Sequence, residues 1–482
     1  MLNKLEKTAE VLFGGDKVPM GKKGFRTHKI PKEATRIHSF TVGSSGTGKS
    51  RHMLFRIERA LERGEGIGLI DPKGDIYRLL LKSIYDKIRN GENLAKRLVL
   101  FDPTASRLPA FNPLEVNSTD QEDQYQKALA TMKVFKKMFG DAWGDRLADI
   151  LLNSLLLLVE RGEPFTRIPR LLTDEEYRKY MVKDLNNRQV KEFWEHRHGK
   201  LPENVRRQWI ESTLNKVNKY YTSPQARNIL GQRKSSIDFR DIIDNNKIFL
   251  ANLPKGQLGE TAFLLGAFLV SSINQAAISR ATLPKSQKPL FHLFIDEAQD
   301  VITEDTRTVL AQSRSSGLSI HMASQDLQGE FDHDLRSGIL SNCKTLISFR
   351  CSRESADIMA PMMFQASGEE IKFQSGESLL GEPTDKPLYR SITEEHERSA
   401  NDLVNLEPRK FYLKVRGQRG EPKLLRTIDT PEYGVGRQAA RNFAEKAMKP
   451  YTEKRDVIEK KLEKRVNEIE KKVNKAVMNG KI

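Results

Sequence analysis

SFTVGSSGTGKS, residues 39–50, decides how this chain is read. Ser39–Val42 has the look of a short buried strand, and from Arg51 to Arg63 apolar residues recur at helical spacing. Between them Gly43-Ser44-Ser45-Gly46-Thr47-Gly48-Lys49-Ser50 fits G-x-x-x-x-G-K-[S/T], in the strand–loop–helix setting that this pattern needs. The glycines let the backbone fold so tightly that successive N–H groups aim at phosphate oxygens. The helix that follows presents its positive end to the same anion. Lys49 is then placed to reach β- and γ-phosphates, and the Ser50 hydroxyl to hold Mg2+. The alternative is a glycine-rich turn that binds nothing, and the flanking strand and helix argue against it.

Working outward, short apolar runs bounded by Gly, Pro and Asp recur between Ser39 and Pro113: SFTVG, GIGLID and RLVLFDP. Helical patterns at His52–Arg63 and Tyr77–Ile88 separate them, the signature of βαβ units in a parallel sheet. Residues 118–235 hold no comparable run and show helical spacing with heavy charge. Strand-like runs return as KIFLANL, LFHLFIDE, LSIHMAS and TLISFR. The sequence therefore predicts an α/β fold with a mostly parallel sheet, interrupted by an all-α insertion. Five segments follow: a basic N-terminal stretch (1–37), a P-loop domain in two parts (38–117 and 236–435), the all-α insertion (118–235) and a charged C-terminal helix (436–482).

A phosphate loop that supports hydrolysis needs an acid for the metal and a base for water. Leu293-Phe294-Ile295-Asp296-Glu297 supplies both at a strand end: Asp296 for the Mg2+ hydration shell, Glu297 to orient and deprotonate the attacking water. Such a pair also caps helices, and the phosphate loop tips the balance towards hydrolysis. Gln325 ends the LSIHMAS strand, where a neutral amide can sense a γ-phosphate or place water. Arg314, in AQSRSSG, is either a solvated loop charge or a group reaching a neighbouring subunit's γ-phosphate. Asp71 and Lys73 in IDPKGD either line the nucleotide cleft or form a turn.

With 81 Lys+Arg against 64 Asp+Glu the chain carries a formal +17, which favours a polyanionic partner: nucleic acid or an acidic membrane face. Hydrophobic content of 38% excludes a wholly disordered chain, and two cysteines cannot build a disulfide scaffold. That cysteine usage points to a reducing, cytoplasmic setting. Ala262–Ile278 is nearly long enough to span a membrane, but Ser271, Ser272, Asn274 and Gln275 crowd its second half, so a buried helix is expected. The nine histidines and two cysteines show no zinc-ligand spacing. Lys and Arg between 197 and 234, interleaved with Trp194 and Trp209, read either as a DNA-facing surface or as ordinary helix charge over core aromatics. No base-reading motif is present, so DNA binding would be largely sequence-independent and salt-sensitive.

GSSGTGKS, IDPKGDIY, IFLANLPKGQLG, FIDEAQD and SRSSGLSIHMASQD, in this order, resemble the HerA–FtsK superfamily of DNA-pumping ATPases, and most of all the conjugative coupling proteins of type IV secretion. KIPKEATRIHSFTVG, with His38 immediately before the loop strand, has the same look. The resemblance covers roughly Lys29–Thr430. It implies a RecA-like P-loop motor, a homo-hexameric ring, ATP and Mg2+ as cofactors, and ATP-driven passage of DNA or a nucleoprotein cargo. It also implies Arg314 as an arginine finger with Gln325 behind it, and a relaxase or relaxosome partner for residues 118–235. Coupling proteins usually carry N-terminal membrane helices, which this reading does not find, so at most peripheral recruitment to the inner membrane face is expected. Two other functions fit the same motifs: a HerA-like double-stranded DNA motor for repair or packaging, and a nucleotide-switched recruitment adaptor.

Overall fold

The fold is described from a computed structural model, which describes residues 17–221, 223–304, 306–307, 310–311, 316–329, 331–377, 383–480 and 482. The chain forms two compact units, each discontinuous in sequence. One gathers the residues up to Ile67, Leu290–Gln299 and Leu310–Glu432; the other gathers Gly68–Pro289, Asp300–Val309 and Tyr433–Ile482.

The first unit is built on eight strands: β1 (Lys17–Lys23), β2 (Arg26–Pro31), β3 (Ser39–Val42), β8 (Phe291–Ile295), β9 (Leu318–Ser324), β10 (Thr345–Ser348), β13 (Lys410–Val415) and β14 (Lys423–Arg426). They lie in the order β2-β1-β14-β13-β10-β3-β9-β8. From β10 through β3 and β9 to β8 all neighbours run parallel. From β10 through β13, β14 and β1 to β2 all run antiparallel. The parallel strands are buried along their whole length, as expected when both faces are covered. β13 instead alternates buried and half-buried residues. The β1–β2 hairpin is where the sequence reading saw only a basic stretch. Its Met20 and Ile30 join Ile347, Phe349, Phe411, Leu413 and Leu425 in one apolar cluster, while its lysines face outward. A separate antiparallel ribbon, β11 (Ile371–Glu377) with β12 (Pro383–Tyr389), follows the helix Arg353–Met363.

The second unit carries β4 (Gly66–Asp71), β7 (Ile248–Asn252) and β5 (Leu98–Phe101) in that order, with β5 and β7 parallel. Between β6 (Arg107–Pro109) and β7 the described residues form helices and no strand, the longest being Gln121–Phe139, Asp145–Glu160 and Glu203–Tyr221. The helix Glu260–Ile278 is long and apolar enough to cross a membrane, yet 78% of its apolar window is buried within the protein. Its Phe268 packs against Phe135 and Phe165 at ring-centre distances of 5.7 and 5.6 Å. Asp71 accepts the backbone N–H groups of Lys73, Gly74 and Tyr77, which makes IDPKGD a helix-starting turn.

The C-terminal stretch, read from sequence as one charged helix, is two helices, Arg437–Met448 and Arg455–Met478. The strand β15 (Thr452–Lys454) stands between them and pairs antiparallel with β6. The last helix buries Ile458 and Val473, and its Arg465 reaches the buried Glu163 at 2.7 Å.

Candidate nucleotide site

The site is set by strand register. Val42 stands opposite Ser324, and Ile295 opposite Met322, so β3, β9 and β8 end together. The residues leaving these ends are Gly43, Gln325 and Asp296-Glu297, each one step past its strand. An open parallel sheet presents its ligand crevice at this edge.

The phosphate loop is held from both sides. Gly43 N–H donates to Ser324 O on the β9 side, and Ser44 N–H donates to Arg350 O at 2.7 Å on the β10 side. Thr47 Oγ1 donates to Ser44 O at 2.7 Å and closes the loop on itself. Gly46 and Gly48 take φ of +75° and +113°, which L side chains resist. At Gly43 the requirement is space: a Cβ there would lie 2.6 Å from Phe349 Cβ. Ser45 and Gly46 form the exposed crown, Thr47 and Lys49 are buried, and Ser50 is half-buried. Gly48 caps the helix Lys49–Glu62. The Lys49 ammonium is folded into the loop, on the carbonyl oxygens of Gly43 and Ser44. Glycines that space (Gly43) or positive φ (Gly46, Gly48) closes to other residues, a helix N-terminus and a lysine bent into the loop together fit a polyphosphate.

Asp296 and Glu297 are both buried, 2% and 1% exposed. Glu297 sits at φ +46°, a left-handed conformation that a glutamate holds only when its surroundings impose it. Two amides hold its carboxylate: Gln325 Nε2 donates to Glu297 Oε1 at 2.7 Å, and Gln299 Nε2 donates to Oε2 at 2.8 Å. Gln299 was missed in the sequence reading, although it lies two residues beyond Glu297 in the same motif. Asp326, next to Gln325, accepts from Leu327 N–H, Ser352 Oγ and Ser355 Oγ and so pins the loop after β9. Burial raises its carboxyl, but these hydrogen bonds outweigh burial and hold it below the ordinary carboxylate range. Arg314 lies outside the described residues.

Among the described residues no three His, Cys, Asp or Glu come together as a metal site. A Ser50 hydroxyl and an Asp296 carboxylate are nonetheless the hard oxygen donors Mg2+ takes when it keeps waters and substrate phosphates as its other ligands.

In the basic stretch, Arg197 pairs with Asp149 at 2.8 Å and Arg207 with Glu203 at 2.6 Å. Trp194 is 3% exposed and packs on Phe193 and His198, so it offers no open face for a base.

Compared with solved structures, the chain is similar to the bacterial conjugative coupling protein TrwBdeltaN70 in its unbound form. The TM-score is 0.55 at 15% identity, covering 84% of this chain and 87% of that one. The fold is that of a conjugative coupling protein. The plasmid coupling protein TrwB in complex with ADP and Mg2+ aligns with a TM-score of 0.57 at 16% identity, over 86% of this chain and 90% of that one. The chain is likewise similar to VirB4 of Thermoanaerobacter pseudethanolicus, with a TM-score of 0.55 at 14% identity, over 86% of this chain and 97% of that one. The family model for the TraM recognition site of TraD and TraG matches residues 290–363, the span from β8 to the end of the helix Arg353–Met363. No curated protein matches the chain by sequence.

Proposed function

We propose that this chain is an ATP-driven DNA translocase of the coupling-protein type. It hydrolyses ATP with Mg2+ to move DNA or a nucleoprotein cargo in conjugative transfer, working from the cytoplasm as a homo-hexamer with at most peripheral contact to the inner membrane face. One observation carries the reading: adjacent parallel strands deliver a phosphate loop, an acidic pair and a glutamine to one edge, with that glutamine bonded to the second acid. The coupling-protein fold, including that of a TrwB structure holding ADP and Mg2+, supports it.

In this scheme the N–H groups of Gly43–Ser50 bind the phosphates, and Lys49 leaves the carbonyls of Gly43 and Ser44 for the β- and γ-phosphate oxygens. Ser50 and Asp296 would hold Mg2+, which when bound neutralises charge on the β- and γ-phosphates. Glu297 accepts the proton of the attacking water at a carboxylate oxygen, while Gln299 and Gln325 fix that carboxylate in place. Arg314 acts on the γ-phosphate of the neighbouring subunit, and the helical segment 118–235 receives the relaxase or other cargo. DNA is held mainly through its phosphates, without base readout.

The test is phosphate release by purified protein with single- and double-stranded DNA, alongside solution mass. Lys49→Ala is expected to abolish turnover, and Glu297→Gln to retain nucleotide while losing turnover. Absence of ATPase activity on both DNA forms, or full activity in Lys49→Ala, overturns the motor reading.

A further inference from the structure

Arg409 is one of three described non-glycine residues with positive φ, at +71°. Another of the three is Glu297. A non-glycine residue in this region is strained, and such strain persists where the surroundings impose it, often at functional sites. What imposes it here is the phosphate loop. Arg409 N–H donates to Thr47 O at 2.8 Å, and Thr427 N–H donates to Arg409 O at 2.9 Å. A Cβ at Gly48 would lie 3.4 Å from Arg409 Cα and 3.6 Å from Thr427 Cγ2. The turn entering β13 is therefore packed directly against the loop at its last glycine, where the loop becomes the helix Lys49–Glu62.

The side chain points to an exposed acidic anchor. Arg409 Nε donates to Thr427 Oγ1 at 3.2 Å and Nη2 donates to Asp429 Oδ1. Arg409 is 40% exposed and Asp429 80% exposed, so the pair is open to solvent. Beside it, Arg51, the residue after Ser50, reaches Thr430 Oγ1 at 3.4 Å. Among the described residues Asp429 is the carboxylate paired with Arg409, and Arg409, with Arg426 and Arg51 nearby, holds it below the ordinary carboxylate range. An arginine tied by its backbone to the phosphate loop, with its guanidinium loosely parked on a solvated aspartate, can exchange that aspartate for a phosphate. Asp429 accepts from one guanidinium nitrogen through one oxygen, whereas phosphate offers the guanidinium several oxygens and more charge.

We propose that Arg409 is a nucleotide-binding residue whose guanidinium moves from Asp429 to a phosphate of the bound nucleotide, at the helix end of the loop. Asp429 is its competitor in the empty site. This inference rests on the nucleotide-site reading given under Proposed function. A surface ion pair serving only stability contributes little and is weakened alike from either side. A competing pair responds with opposite signs.

The experiment measures KM for ATP, kcat, and direct binding of a fluorescent ATP analogue with Mg2+ by wild type, Arg409→Gly and Asp429→Asn. Glycine accepts the left-handed backbone and keeps the N–H to Thr47, so it deletes the guanidinium without disturbing the clamp. Arg409→Gly is expected to raise KM and the analogue Kd about tenfold, or about 1.4 kcal/mol, with kcat changed less than about twofold. Asp429→Asn is expected to lower both constants about threefold. If both variants move the constants in the same direction, or neither moves them while wild type binds and turns over ATP, Arg409 is structural and the inference falls alone. If wild type binds no analogue, the nucleotide-site reading and this inference fall together.

Discussion

Lowering the pH from about 8 to about 5.5 is expected to cost the loop-bearing unit about 3 kcal/mol of stability. Two histidines set this figure. His52, on the helix after the phosphate loop, is 1% exposed, donates Nε2–H to Met20 O and packs 4.6 Å from the Phe411 ring. Burial, with Arg56 beside it, lowers its pKa from 6.5 to about 3. His38, fully buried before β3, accepts the Ile320 N–H at Nδ1, and burial lowers it from 6.5 to about 4. Both folded values lie below the unfolded one, so between them the unfolded chain binds more protons. Stability is therefore full above 6.5 and is lost as pH falls towards 4 and then 3. One unit below the unfolded pKa each group costs about 1.4 kcal/mol. His292 and His321, lowered chiefly by burial, act with the same sign. For a unit of this size about 3 kcal/mol corresponds to a melting temperature lower by about 6–12 °C. Calorimetry across the pH series measures it, with amide exchange of β3 and β9 assigning the loss to this unit. His52→Gln keeps a donor for Met20 O without titrating and is expected to remove about half of the slope. A melting temperature that does not change between the two pH values refutes the reasoning.

Gln325→Ala removes one of the two amides on Glu297. A hydrogen bond to a charged group contributes about 1.5–3 kcal/mol, so steady-state kinetics should show kcat lower by about 10- to 100-fold with KM little changed; an unaltered kcat would remove Gln325 from the site. Gly43→Ala places a Cβ 2.6 Å from Phe349 Cβ and should weaken ATP binding, with Phe349→Gly, which removes that Cβ, restoring part of the loss in the same chain. Titration calorimetry reads both, and additive effects would show that the two positions do not meet.

The centre of the site was legible because its parts are local. A glycine loop after one apolar run and an acidic pair after another were read within a residue or two of their observed strand ends, and Gln325 likewise follows β9. Register then brings the three ends together, which no single stretch of sequence states. What escaped depended on distant partners. β1 and β2 offer few apolar residues, and Met20 and Ile30 gain meaning only against Phe411 and Leu425. β15 is three residues long and exists through its pairing with β6. Gln299 stood in a quoted motif but acts through a bond that spacing cannot reveal. Arg409 carries no motif at all, and its backbone geometry is imposed by Thr47 and Thr427. Trp194, open to a base-stacking reading in sequence, is closed by Phe193 and His198.

The placement of β3 between β9 and β10 has a bearing on how the protein is made. The loop strand leaves the ribosome before both of its neighbours, and the Ser324 and Arg350 carbonyls that seat Gly43 and Ser44 belong to residues synthesised much later. At roughly 5–20 residues per second the ~280 residues from β3 to β9 take on the order of 15–60 s. Throughout that interval the growing chain displays GSSGTGKS without the frame that aims its N–H groups. On the proposed nucleotide reading, capture of ATP is expected only once β8, β9 and β10 have emerged. A fragment spanning residues 17–317 would contain GSSGTGKS without the Ser324 and Arg350 carbonyls that seat it, and is expected not to bind ATP.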